Sequence, residues 1–137
     1  MRGKSVWIAV CAVVLGLTLQ ANEKPSDAYQ NAMKNLGAAN QSLRNNVTAK
    51  DYDAIAKDAA TFRASFATAL AFWTAKKTDD AMMLAQTGSK AAADLEQAAK
   101  SKSEDGVAAA QKAVGATCAA CHMAHRERLA DGTFEIK

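Results

Sequence analysis

The sequence predicts an all-α protein folded as an antiparallel up-down-up-down four-helix bundle. Thirty of the residues after position 21 are alanine, the strongest helix former, and Pro25 is the only proline of the chain. Apolar residues recur at steps of three and four over four separate segments. Short polar stretches join these segments, and short connections between helices favour antiparallel neighbours.

The first 21 residues have the layout of a secretory signal peptide. Arg2 and Lys4 precede the apolar run VWIAVCAVVLGLTL, and a small residue, Ala21, precedes a polar stretch. The run is shorter than the roughly 20 residues that a transmembrane helix needs, although an uncleaved anchor remains an alternative. We therefore expect residues 1–21 to be a signal peptide, residues 22–137 to form the bundle domain, and the protein to be periplasmic.

The first two helices follow from regular apolar stripes. The first is predicted from about Ser26 to Asn46, with an inward stripe of Tyr29, Met33, Leu36, Leu43 and Val47. The second is predicted from about Thr48 to Lys76, with Thr48 as its N-cap and Asp51 as the partner in a capping box. Its stripe consists of Tyr52, Ile55, Ala59, Phe62, Phe66, Leu70 and Trp73.

The last two helices carry fewer large residues. The third is predicted from about Thr78 to Lys100, with inward residues Met82, Met83, Leu95 and Ala99. The fourth is predicted from Ser103 to about Ala130, with acidic residues in its first turn that suit the helix dipole. Its inward face consists of Val107, Ala110, Val114, Cys118 and Cys121. No strand is expected, except within TFEIK near the C-terminus.

Charge and cysteine content exclude several classes of function. Removing residues 1–21 takes away two basic residues and no acidic one, so the formal net charge falls from +3 to +1. No basic stripe with interleaved aromatic residues is present, so nucleic acid is not an expected partner. Cys118 and Cys121 are then the remaining cysteines, and a pair only three residues apart cannot hold a fold together as a disulfide scaffold.

The stretch TCAACHMAH contains these two cysteines and both histidines of the chain. On a helix, Cys118, Cys121, His122 and His125 lie at steps of three, one and three, and therefore point in roughly one direction. Cys-x-x-Cys-His is the attachment motif of c-type haem. The thiols add to the two vinyl groups of haem as thioethers, and the adjacent histidine binds the iron. We therefore predict one covalently attached haem c.

Three other interpretations of the same residues remain open. Zinc could be held by two cysteines and two histidines, although tetrahedral zinc usually takes its ligands from two separate elements. The cysteines could form a thioredoxin-like dithiol, but that motif normally opens a helix in an α/β fold. They could also be small core residues in a purely structural bundle, with His122 on the surface.

The position of the haem motif on the last helix resembles the cytochrome c′ family. The resemblance covers about residues 25–130 and includes AYQNAMKNLGA, in which Met33 occupies the family's distal apolar position and Gly37 the glycine four places later. The family commonly has a basic residue four places after the haem histidine, and Arg126 stands there. The resemblance implies that Cys118, Cys121 and His122 hold the haem, with Arg126 near its proximal face.

The chain departs from the family pattern in three places. Tyr29 stands where the family often has an arginine, four residues before the distal position. His125 is not a usual family residue, and we expect it to be exposed beside the haem edge. The tail ERLADGTFEIK extends beyond what the bundle needs. These departures affect the contacts of the haem propionates and the surroundings of the haem edge.

Two functions follow from the resemblance, and Met33 discriminates between them. If its thioether binds the iron opposite His122, the protein is a low-spin cytochrome that transfers single electrons. If Met33 only fills space, as methionine often does, the haem is five-coordinate and binds nitric oxide or other small gases. Gly37 favours haem proximity, because glycine inside a helix is costly unless something approaches closely. Met82 and Met83 are expected to be core residues.

The expected partner is a redox protein, with a homodimer as a further option and no membrane contact after signal cleavage. No enzymatic activity is expected. The sequence shows no second buried histidine, no carboxylate pair with an evident cleft and no phosphate-binding loop.

Overall fold

Four helices pack in sequence order in a computed structural model that describes residues 22–137. The predicted signal peptide, residues 1–21, lies outside the described residues. The helices and strands are α1 (Asp27–Ala49), α2 (Tyr52–Lys76), α3 (Asp79–Lys100), α4 (Glu104–His125), β1 (Arg126–Arg128) and β2 (Phe134–Ile136). Helix α2 packs against α1 and α3, and α3 packs against α4. The predicted all-α four-helix bundle is confirmed.

The three turns between the helices have the same backbone conformation. Lys50, Lys77 and Lys102 each adopt a left-handed conformation, with φ of 54°, 57° and 53°. In each turn the amide of the following residue donates to a carbonyl five residues back, at 2.9, 3.2 and 2.9 Å. This is the Schellman ending, which usually has glycine at the left-handed position. The chain reverses tightly at each turn, so successive helices run antiparallel.

Alanine forms much of the interface between α2 and α3. Six buried residues of α3 are alanines, and Leu95 is its one buried large residue. Large side chains come instead from α2, where Phe62 and Trp73 are almost completely buried. Gly88 lets the two helices approach closely, because a Cβ atom added there would lie 2.4 Å from the ring of Phe66. The sequence pattern had not identified Gly88 as a packing residue.

Two predictions about the helices were wrong at the level of single residues. Thr48 is not the N-cap of α2, since it lies in the last turn of α1 and its hydroxyl donates to the carbonyl of Arg44. Asp51 is the N-cap and accepts from the amide of Ala54 at 3.0 Å. Met83 does not face inward and is 66% exposed. Met82 packs against the core cluster that contains Trp73, and the step of about 100° between consecutive residues of a helix places the Met83 side chain on the outer face.

The predicted end of the fourth helix was also wrong. Helix α4 ends at His125 instead of Ala130, because Arg126 adopts an extended conformation with φ −120° and ψ 127°. The chain then forms an antiparallel hairpin in which Arg126 lies opposite Ile136. Ile136 is buried against Tyr29 and Trp73. Burial of one apolar residue of the tail thus stabilises strands where local sequence had predicted the helix to continue.

We predict that Gly88→Ala lowers the free energy of unfolding by about 1–3 kcal/mol, because its methyl group overlaps the ring of Phe66. The matched control is Gly115→Ala, where an added Cβ meets no neighbouring atom within 4 Å. That change should raise stability by up to about 1 kcal/mol through helix propensity. Urea unfolding followed by circular dichroism measures both. Equal effects of the two substitutions would contradict the packing role of Gly88.

Candidate functional site

A cavity of about 1020 Å³ lies beside the motif residues. Its volume is at the upper end of the roughly 300–1,000 Å³ typical of small-molecule sites. Helix α1 contributes Tyr29, Met33 and Gly37, and α2 contributes Phe66 and Trp73. The C-terminal hairpin lines another part of the wall. The walls are mostly apolar, so the cavity suits a large ligand with a hydrophobic body.

The structure brings all predicted site residues to this cavity. Cys118, Cys121 and His122 line it from α4, and Met33 lines it from α1. Arg126 also lines it, although it belongs to β1 and not to the helix. Its amide still donates to the carbonyl of His122, which keeps it one turn beyond that residue. Helix α4 therefore lines the cavity with two thiols and an imidazole, and α1 lines it with the thioether of Met33.

Both thiols are held in their protonated form. Burial raises the pKa of the Cys118 thiol. Burial raises the pKa of Cys121 to about 11, and repulsion by Cys118 when that thiol ionises and by Asp80 adds to the rise. A dithiol redox centre requires the opposite shift, because the thiolate is its nucleophile. The pair also lies near the C-terminal end of α4 instead of at a helix N-terminus. These features do not favour the dithiol interpretation.

His122 is half-buried and held toward its neutral form. Burial lowers the pKa of its imidazole, and the positive charge of Arg126 lowers it further. A neutral imidazole has a free lone pair, which is the form that binds metal ions. The Arg126 guanidinium lies 4.2 Å from the centre of the Phe134 ring, on the hairpin. His122 thus meets the chemical requirement for an axial ligand of haem iron.

His125 differs from expectation, because it is largely buried. Its side chain is 11% exposed, and its ring lies 4.9 Å from that of Trp73. The Nε2 atom of His125 lies 3.0 Å from a carboxylate oxygen of Asp80, but the angles of this contact are not those of a hydrogen bond. Among residues 22–137, Nε2 therefore has no hydrogen-bond partner. The expectation that His125 is exposed was therefore wrong. The sequence carried no indication of this, since the hairpin that covers this end was not predicted.

Gly37 lies where the cavity borders α1. An added Cβ atom would meet nothing within 4 Å, apart from the local backbone of its own helix. The close approach that the sequence predicted is therefore not made by another part of the described chain. The space beside Gly37 is available to a ligand. This contrasts with Gly88, where a side chain of the protein itself occupies the corresponding space.

Comparison with protein-family models, with curated proteins and with solved structures finds no match to this chain. Across residues 22–137, no three histidine, cysteine, aspartate or glutamate side chains cluster in a way that could hold a metal ion. A haem iron requires only one or two axial protein ligands. The helices within this part of the chain include none that is both long and apolar enough to cross a membrane.

We predict that Tyr29→Phe weakens the pH dependence of stability above pH 10. Burial raises the pKa of Tyr29 from 10.0 to about 12, with Cys121 adding to the rise and Trp73 and Arg126 opposing it. The unfolded chain therefore loses this proton first, and stability falls as the pH rises from about 10 to about 12. The phenol should account for about 1–2 kcal/mol of that loss. Urea unfolding at several pH values measures the slope, and equal slopes for both proteins would contradict this account.

Proposed function

We propose that this chain is an exported c-type cytochrome that carries one covalent haem c in the cavity and transfers single electrons. Cys118 and Cys121 hold the haem through thioether bonds, and His122 is its proximal ligand. Met33 is the sixth ligand, and Arg126 lies beside the proximal face. Membership of the cytochrome c′ family, periplasmic location and a redox-protein partner are parts of the same proposal, and no enzymatic activity is included.

One observation carries the proposal. The complete Cys-x-x-Cys-His motif and Met33 come from different helices, yet they line the same cavity of about 1020 Å³. The haem supplies an iron that gains and loses one electron. The chain supplies a neutral imidazole at His122 and a thioether at Met33, and His/Met ligation favours a raised reduction potential. The mostly apolar walls add to the same preference for the less charged, reduced iron.

A second candidate is a five-coordinate haem that binds nitric oxide or another small gas. It is favoured by the packing of Met33, which contacts both apolar core clusters of the bundle. A side chain engaged in this way could serve packing alone. The distal face would then be apolar and open to a small uncharged molecule. The two candidates share the covalent haem and differ only in what occupies the sixth position.

The first test determines whether the protein binds haem and whether His122, and not His125, is the histidine that binds its iron. The chain is exported in a host that attaches haem to c-type cytochromes, and its absorption spectrum is recorded in oxidised and reduced form. We expect a strong Soret band in the wild type, a changed ligation spectrum in His122→Ala, and a spectrum like the wild type in His125→Ala. A wild type without a Soret band would contradict the proposal and favour a structural bundle.

The second test concerns Met33→Leu. If the Met33 thioether binds iron, the substitution should convert a low-spin ferric spectrum to high-spin, lower the reduction potential and speed carbon monoxide binding. The bundle should survive, because this change nearly conserves volume and typically costs less than about 1.5 kcal/mol. Met82→Leu is the matched control, since Met82 is partly buried in the second core cluster. A wild-type ferric spectrum that is already high-spin would contradict iron ligation by Met33 and favour the gas-binding function.

A further inference from the structure

The C-terminal hairpin covers one end of the cavity. Arg126, Leu129, Phe134 and Ile136 all belong to the cavity wall. Beneath them lie Tyr29 and Trp73, which are almost completely buried. The hairpin thus stands between solvent and the end of the cavity that contains the buried phenol and indole.

The hairpin is attached to the bundle at few points. Among the six residues of β1 and β2, Ile136 alone is buried. Its amide and carbonyl pair with those of Glu23, at 2.8 and 3.0 Å, and the Lys137 amide donates to the His125 carbonyl at 3.2 Å. Glu23 is tied to α2 by an ion pair with Lys76. Release of one apolar side chain and these backbone pairs would detach the hairpin.

The hairpin also contains an unfavourable charge pair. Glu127 and Glu135 lie directly opposite each other in the register of β1 and β2. Like charges in this position are destabilising, and an isolated two-stranded hairpin is only marginally stable in water. Its residues are not part of the larger core cluster that joins the four helices. The hairpin can therefore open without unfolding the bundle.

We propose that residues 126–137 form a lid on the cavity, latched by Ile136 and weakened by the Glu127–Glu135 pair. Opening of the lid admits water and small molecules to the cavity, and closure shields its contents. The inference goes beyond the proposed function, because it concerns access to the cavity whatever the cavity holds.

Residue-resolved amide hydrogen exchange of the exported protein tests the opening. The Ile136 amide should exchange faster than core amides such as that of Leu95, since lid opening is cheaper than global unfolding. Ile136→Ala should speed exchange at Glu23 and at residue 136 at least about tenfold, while the Leu95 rate changes far less. Glu127→Lys should slow the same lid amides about two- to fivefold, because it creates an opposite-charge pair. Asp53→Lys, an equal charge change at the other end of the bundle, should leave them unchanged.

Access is tested separately with the full chain produced without haem attachment, by following the iodoacetamide labelling of Cys118 and Cys121, which both line the cavity. Labelling should accelerate in Ile136→Ala and slow in Glu127→Lys. Val107→Ala, a buried truncation far from the hairpin, should have little effect while the protein remains folded by circular dichroism. Lid amides that exchange at the same rate as the Leu95 amide in every variant would overturn the proposal. That result would leave the haem assignment intact, because the assignment is read from the absorption spectrum.

Discussion

The helices carry too few large side chains to fill the interior of their own bundle, and the rest of the structure depends on this constraint. The interior of α3 is built largely from alanine, and the large residues of α2 fill only part of the space between the helices. A cavity of about 1020 Å³ is left beside the carboxyl-terminal half of α4. Protein interiors are normally packed without such voids, so an apolar space of this size indicates a site for a bound group. The cysteine and histidine side chains of residues 22–137 border this space.

The fold and the common helix face of the motif residues were predictable because both depend on local periodicity. Apolar residues spaced three and four apart predict four helices, and the short polar connections between them favour antiparallel packing. Cys118, Cys121 and His122 share a helix face for the same reason, and the apolar stripe of α1 brings Met33 to the same cavity. The lysine-based helix endings were not predicted, since Lys50, Lys77 and Lys102 adopt a backbone conformation that sequence patterns assign to glycine.

The remaining errors have a common origin in contacts between distant parts of the chain. Helix α4 ends early because Ile136 is buried against residues of α1 and α2, and helical propensity carries no information about this contact. The same hairpin buries the end of the cavity where His125 packs against Trp73. Gly88 leaves room for the ring of Phe66 on the neighbouring helix, whereas Gly37 borders open space. Only the tertiary structure distinguishes these two glycines.

We propose that a haem is bound covalently through the two cysteines that border the cavity. The most direct measurement is acid-acetone extraction of the exported protein, followed by intact mass and haem staining on a denaturing gel. The colour should stay with the protein, and the mass should exceed that of the chain without its signal peptide by one haem. A variant carrying Cys118→Ala and Cys121→Ala should release all colour. Complete extraction of the colour from the wild type, or a mass equal to that of the bare chain, would show that no haem is covalently attached.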